Sequence, residues 1–299
     1  MPKIQQNTDA ARMHRYLGIT LAALLVLAAF FVKLPNVIRS GTYTVFRETL
    51  KQKALWTTRH METLNGDHFI VRYPKGNEAD ARLVLATAEK FYNPIAGKYG
   101  YTNRSKIPVI VYPSRSELNR NFGWPANEST MGVYWTGVIR VLSPNVWVAE
   151  EDPHLYRAEF MNSGPMAHEF THLVVDYITV GNYTRWFTEG IAQYEEYKLT
   201  GFEFENTESS LDKPLYRLDE MDIYFDSLPN QSLAYRQSYL AVRYIAEVYG
   251  EESLKAILES LAKNNKIDQA IPDALGVKME TFERNYQHWA REHEKLSQL

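Results

Sequence analysis

The chain has 299 residues, with 33 basic against 36 acidic side chains, a net charge of −3 and 45% hydrophobic residues. That length and apolar content suit one large domain or two modest ones, and the near-neutral balance leaves no electrostatic footprint for nucleic acid. There is no cysteine, which excludes disulfides, thiolate metal sites and a cysteine nucleophile; any metal must be held by histidine and carboxylates.

Residues 16–32 read YLGITLAALLVLAAFFV, without a charge between Arg15 and Lys33. As a helix this run is about 26 Å long, at the short end of a bilayer span. Its end lacks a small-x-small cleavage site, so the expectation is an uncleaved anchor over residues 16–34 that meets the lipid bilayer, preceded by a cytoplasmic tail, residues 1–15. Positive charges balance across the segment (Lys3, Arg12 and Arg15 before it, Lys33, Arg39 and Arg47 after it). The short basic tail then argues for a single-pass protein of the cell membrane with its main domain outside the cytoplasm. Residues 35–65 are expected to be a juxtamembrane helical linker without catalytic residues.

From residue 66 the pattern changes. HFIVRY at 68–73 alternates like a strand, 78–99 reads as a helix ended by Gly100, and IPVIVY at 107–112 as a β-branched strand. Residues 114–122 suggest a short helix with Ser114 and Glu117 in a capping box. MGVYWTGVIRVL at 131–142 suggests two strands around Thr136-Gly137, with 138–142 as an edge for an extended substrate. Beyond Leu155 the chain is almost wholly helical. The expected fold class is α+β. A small mixed or antiparallel sheet (66–150) precedes a mainly helical half (151–299), within one domain spanning 66–299.

The chemistry concentrates in HEFTH, residues 168–172. On a helix, His168 and His172 share one face and can offer two imidazoles to one metal, while Glu169 lies beside it as a base for bound water. Asn162 or Ser163 as cap, with Gly164 and Pro165, marks the helix start. Met166, Phe170, Leu173, Val174 and Tyr177 form its apolar side. Such a site needs a third protein ligand. WFTEGIAQYEE at 186–196 opens a second helix near Arg185 and brings Glu189 opposite His172, with Glu195 and Glu196 as rivals. His60, His154, His288 and His293 have no partner spacing and are read as non-ligands.

HEFTH followed by WFTEGIAQYEE resembles the gluzincin metallopeptidases, most closely a peptidase-MA-like domain over residues 66–299. The resemblance implies a zincin-like catalytic half with Zn2+ on His168, His172 and Glu189 and with Glu169 as general base. It assigns Asp176 and Glu196 supporting positions behind the ligands. Asp176 would accept from an imidazole, or else is a helix-surface aspartate. AYRQSY at 234–239 aligns with the segment carrying a transition-state tyrosine, which maps onto Tyr235; Tyr239 or a core role for Tyr235 are the alternatives. The spacer between His172 and Glu189 holds 16 residues, shorter than in thermolysin or the aminopeptidases, and the exopeptidase G-x-M-E-N pattern is absent. The expected activity is therefore zinc-dependent endopeptidase cleavage of a peptide or protein substrate. The rival readings are an exopeptidase and a catalytically silent binding or scaffold domain.

Overall fold

The computed structural model describes residues 35–297, apart from 128 and 204–206. Internal contacts divide the chain into residues 1–45 and 46–299. The described part of the first unit is the start of helix α1 (Pro35–Thr57), where the Thr42 and Thr44 hydroxyls bond back to the carbonyls of Ile38 and Ser40. All packing described below belongs to residues 46–299.

The expected tail and anchor, residues 1–34, lie outside the described residues. Among the described residues no helix is long and apolar enough to cross a membrane, which corrects the expected single-pass cell-membrane location. Helix α1, with 23 residues, has the length but also carries Arg39, Arg47, Glu48, Lys51 and Lys53, each costly in hydrocarbon.

Five strands form one mixed sheet in the order β1-β2-β3-β5-β4. They are β1 (Glu62–Asn65), β2 (Phe69–Tyr73), β3 (Ile107–Tyr112), β4 (Gly132–Trp135) and β5 (Val138–Leu142). β2, β3 and β5 run parallel, and β1 and β4 pair antiparallel at the two edges. Every residue of β3 and β5 is buried, as expected for near-continuous apolar runs in a parallel centre. The substrate-accepting edge expected at 138–142 is therefore corrected: β5 lies inside the sheet, and the edge is the preceding arm, β4. The turn between them uses positive φ at Thr136 and Gly137 (47° and 78°), the conformation that two-residue hairpins require.

Helix α2 (Glu78–Tyr99) crosses from β2 to β3 and ends at Gly100 in the left-handed region. Helix α3 (Arg115–Arg120) is capped by the Ser114 hydroxyl, which accepts from the Glu117 amide. The helical half comprises α4 (Pro153–Ser163), α5 (Met166–Thr179), α6 (Arg185–Thr200), α7 (Leu218–Tyr224), α8 (Gln231–Tyr249), α9 (Glu252–Ala262), α10 (Ile267–Leu275) and α11 (Met279–Ser297). Asp152 caps α4 by accepting from His154 and Leu155 amides. Asn162 and Ser163 end α4 rather than cap α5, whose start carries no side-chain cap.

Helix α5 is fastened to the sheet by aromatic packing. Phe170, fully buried, meets Phe69 at 5.3 Å, Tyr92 at 5.5 Å and Tyr101 at 6.3 Å between ring centroids. On its other side α5 packs against α6, and α6 against α8. The α6–α8 approach is close enough that only glycine fits at position 190. A Cβ there would lie 2.3 Å from the Ser238 carbonyl oxygen and 2.5 Å from Val242 Cγ2. Because the obstacle is backbone, Gly190→Ala must push two helices apart. It is expected to destabilise the protein by about 1–3 kcal/mol, read as a lower urea midpoint at unchanged slope.

Candidate metal centre

Helix α5 presents His168, Glu169 and His172 on the side away from the Phe170 cluster. Helix α6 returns after five residues, 180–184. Val180 closes α5 in the left-handed region (φ 52°, ψ 48°) and Gly181 follows at φ 71°. Thr184 is extended before Arg185 starts α6. This tight reversal accommodates the short spacer and sets the first turns of α6 beside the end of α5.

Glu189 Oε2 lies 3.3 Å from His168 Nε2 and 3.5 Å from His172 Nε2. Among the described residues these three are the only group of histidine and acidic side chains placed to hold a metal ion, with ligand atoms all within 4.8 Å of one another. The other nitrogen of each ring is already taken. His168 Nδ1 meets Glu196 Oε2 at 3.1 Å, and His172 Nδ1 meets Thr188 Oγ1 at 2.8 Å. Glu189 Oε1 is held by Arg185 Nη1 at 3.0 Å. That leaves two Nε2 atoms facing Oε2, which is buried and has no hydrogen-bond partner.

Three lone pairs turned toward one another repel unless a positive charge lies between them. Burial alone would lower the pKa of His168, but Glu189 and Glu196 overcome it and hold the ring well above its ordinary value. Burial alone would raise Glu189, but the charges of His172 and Arg185 and the contacts with both imidazoles hold it well below the carboxylate range. A shared proton and a metal ion thus compete for the same place. The two separations from Oε2 suit the metal: donors roughly 2.0–2.1 Å from a tetrahedral ion lie about 3.3–3.4 Å apart.

Glu169 does not join this trio. One of its oxygens accepts from the Tyr134 amide on β4, and burial pushes its carboxyl above the usual carboxylate range against the opposing pull of both imidazoles. Glu195 turns away from the centre, accepting from Lys98 Nζ and Tyr99 Oη, each at 2.6 Å. Asp176 is fully buried at the far end of α5 and accepts from Arg47 and Tyr134, while Glu196 and Thr188 occupy the imidazole positions expected of it. Tyr235, on α8, packs edge-on against Phe225 at 5.2 Å between ring centroids, and the charge of Glu189 followed by burial raises its pKa. Tyr239 accepts from Arg243 at 3.3 Å and packs on Tyr197 instead.

Thr188, Arg185 and Tyr134 were not anticipated from the residues. Arg185 carried a readable signal, since it sits four residues before Glu189 on one helix. Thr188 is adjacent to Glu189, and nothing local marks its hydroxyl as a partner for an imidazole 16 residues away on the preceding helix.

Residues 99–292 match the Peptidase MA superfamily. The chain belongs to that superfamily. Among solved structures, this peptidase MA chain is similar to aminopeptidase A of Legionella pneumophila in complex with aspartic acid, with 16% identity, a TM-score of 0.43, and coverage of 74% of this chain and 26% of that one. It is also similar to an M1 zinc metallopeptidase of Deinococcus radiodurans, with 14% identity, a TM-score of 0.33, and coverage of 75% of this chain and 50% of that one. The peptidase MA chain thus spans about a quarter of the first protein and half of the second. Among curated proteins none matches it significantly.

Zinc titrated into chelator-stripped protein is expected to bind one ion per chain and to raise the melting temperature. At a hundredfold excess over the dissociation constant the stabilisation is about 2.7 kcal/mol. His172→Ala and Glu189→Gln should each abolish most of that increase in a calorimetric scan.

Proposed function

We propose that this chain is a zinc-dependent peptidase that cleaves peptide bonds within an extended polypeptide. The observation that carries the reading is the buried, unpartnered Glu189 Oε2 facing the Nε2 atoms of His168 and His172. Two imidazoles and one carboxylate are the protein ligand set of a catalytic zinc site. When bound, zinc supplies Lewis-acid polarisation of the scissile carbonyl and of a water molecule.

The chain's own residues do the rest. Glu196 and Thr188 engage the Nδ1 atoms, fixing each imidazole so that Nε2 is the ligand atom. Arg185 holds the second oxygen of Glu189 and, after His172, helps keep the carboxylate ionised. Glu169 takes the proton of the attacking water and returns it to the leaving amine. The Tyr134 amide orients Glu169 for both transfers. Tyr235 stays protonated because its pKa is raised, so its phenol is available as a donor to the developing oxyanion.

The edge strand β4 offers the pairing surface for the substrate. In the antiparallel register Gly132↔Val141 and Tyr134↔Ile139, the Tyr134 amide points away from β5 to Glu169, so its carbonyl faces outward as well. Strand β4 reads GVYW and carries no carboxylate to grip a substrate's terminal ammonium, which favours internal cleavage.

Glu169→Gln is the decisive variant. Zinc content should remain one per chain while hydrolysis of casein and of end-blocked peptides falls by about 10²–10⁴-fold. Cleavage confined to peptides with a free amino terminus would replace internal cleavage by an exopeptidase reading. A wild-type protein that holds zinc but cleaves no peptide pool would instead be a silent binding domain.

A further inference from the structure

Helix α1, read from sequence as a linker, reaches Glu169 through three side chains. Arg47, only 4% exposed, donates to Asp176 Oδ2 at 3.1 Å and to the Asp176 carbonyl at 3.3 Å, with its guanidinium 3.6 Å over the Tyr177 ring. The same Asp176 oxygen accepts from the Tyr134 phenol. The Gly137 amide donates to that phenol at 3.0 Å, which ties the hairpin turn to the contact. The backbone of Tyr134 then donates to Glu169.

Glu169 and Asp176 lie seven residues apart on α5, two turns along one face. Tyr134 spans them with its two ends and pins the edge strand to the helix at both points. The hairpin is close-packed where it is pinned. A Cβ on Gly132 would meet Pro165 Cβ at 2.5 Å and Glu169 Cγ at 2.9 Å, and one on Gly137 would meet the Tyr177 phenol at 2.9 Å. Further contacts hold α1 in place: the Tyr177 phenol donates to Glu48 at 3.2 Å, and Lys51 donates to Tyr177 and to Ser105.

We propose that Tyr134 and, through Asp176, Arg47 are positioning residues that hold the β4 edge at the separation from which its amide orients Glu169. The inference rests on the peptidase reading. It makes residues 46–57 of α1 part of the catalytic unit. Without the phenol–carboxylate contact, β4 keeps its pairing with β5 but is pinned to α5 at one point only, and the Tyr134 amide is free to drift from Glu169 while the metal ligands on α5 and α6 stay in place.

The test uses the full chain, zinc-loaded, with Tyr134→Phe, which deletes one oxygen. A second variant, Arg47→Met with Asp176→Asn, removes both buried charges together, because loss of Arg47 alone leaves a buried carboxylate uncompensated and endangers folding. Amide exchange of Tyr134 is measured without substrate, then kcat and KM on an end-blocked peptide. The expected result is a Tyr134 amide protected in the wild type and exchanging at least tenfold faster in both variants. Zinc should stay at one per chain, kcat should fall about tenfold and KM should change less than threefold. Combining all three substitutions should lower kcat no further than the larger single effect. Unchanged exchange with unchanged kcat overturns the proposal, as does a loss of kcat that tracks loss of zinc. If the wild type cleaves no peptide, the exchange comparison alone still decides whether Asp176 and Arg47 hold the edge strand.

Discussion

A carboxylate oxygen buried without a hydrogen bond between two imidazole nitrogens is the constraint on which the rest of this molecule depends. Left alone, it is an electrostatic fault, since burial removes the water that would otherwise solvate Glu189. The fold spends much of its rigidity on keeping that fault in place. Arg185 holds one oxygen, so the other cannot rotate away. Glu196 and Thr188 hold the far sides of both rings. Each restraint alone is worth little; together they leave a divalent cation as the group that best relieves the arrangement.

Rigidity of this kind needs packing on both sides of the helix pair. The Phe170 cluster fixes α5 against the sheet, and the bare α-carbon of Gly190 lets α6 settle onto the backbone of α8. Gly190 directly follows the candidate ligand Glu189, so the close α6–α8 approach and the side chain facing both imidazoles share one turn. The aromatic and glycine positions around the motif are therefore as much a part of the centre as its ligands.

Much of this was legible along the chain because it is local. HEFTH on an apolar-backed helix, a second helix opening near Arg185, and the hairpin around Thr136-Gly137 are properties of short windows, and all three elements are observed. What escaped was non-local or lacked a pattern. Strand β1 is polar and mostly exposed, so no alternation marks it. Which hairpin arm forms the sheet edge depends on β3 choosing β5 as its partner, although the apolar run VIRVL suits an interior strand better than GVYW does. Arg47 looked like a charge on a spacer because its partner lies 129 residues away. The same distance hid the role of Asp176, whose spacing from His172 suggested a nearer partner.

The link between the two helices that carry His168, His172 and Glu189 is five residues long and begins with Val180, a β-branched residue in a conformation that normally costs about 1–3 kcal/mol. Asn182, in its middle, donates to the carbonyls of Leu261 and Asn265, each at 2.8 Å. Such a connection has no slack. A displacement of either helix is passed to the other, so the spacing between His168, His172 and Glu189 is kept by the shortness of the link as well as by the packing around it.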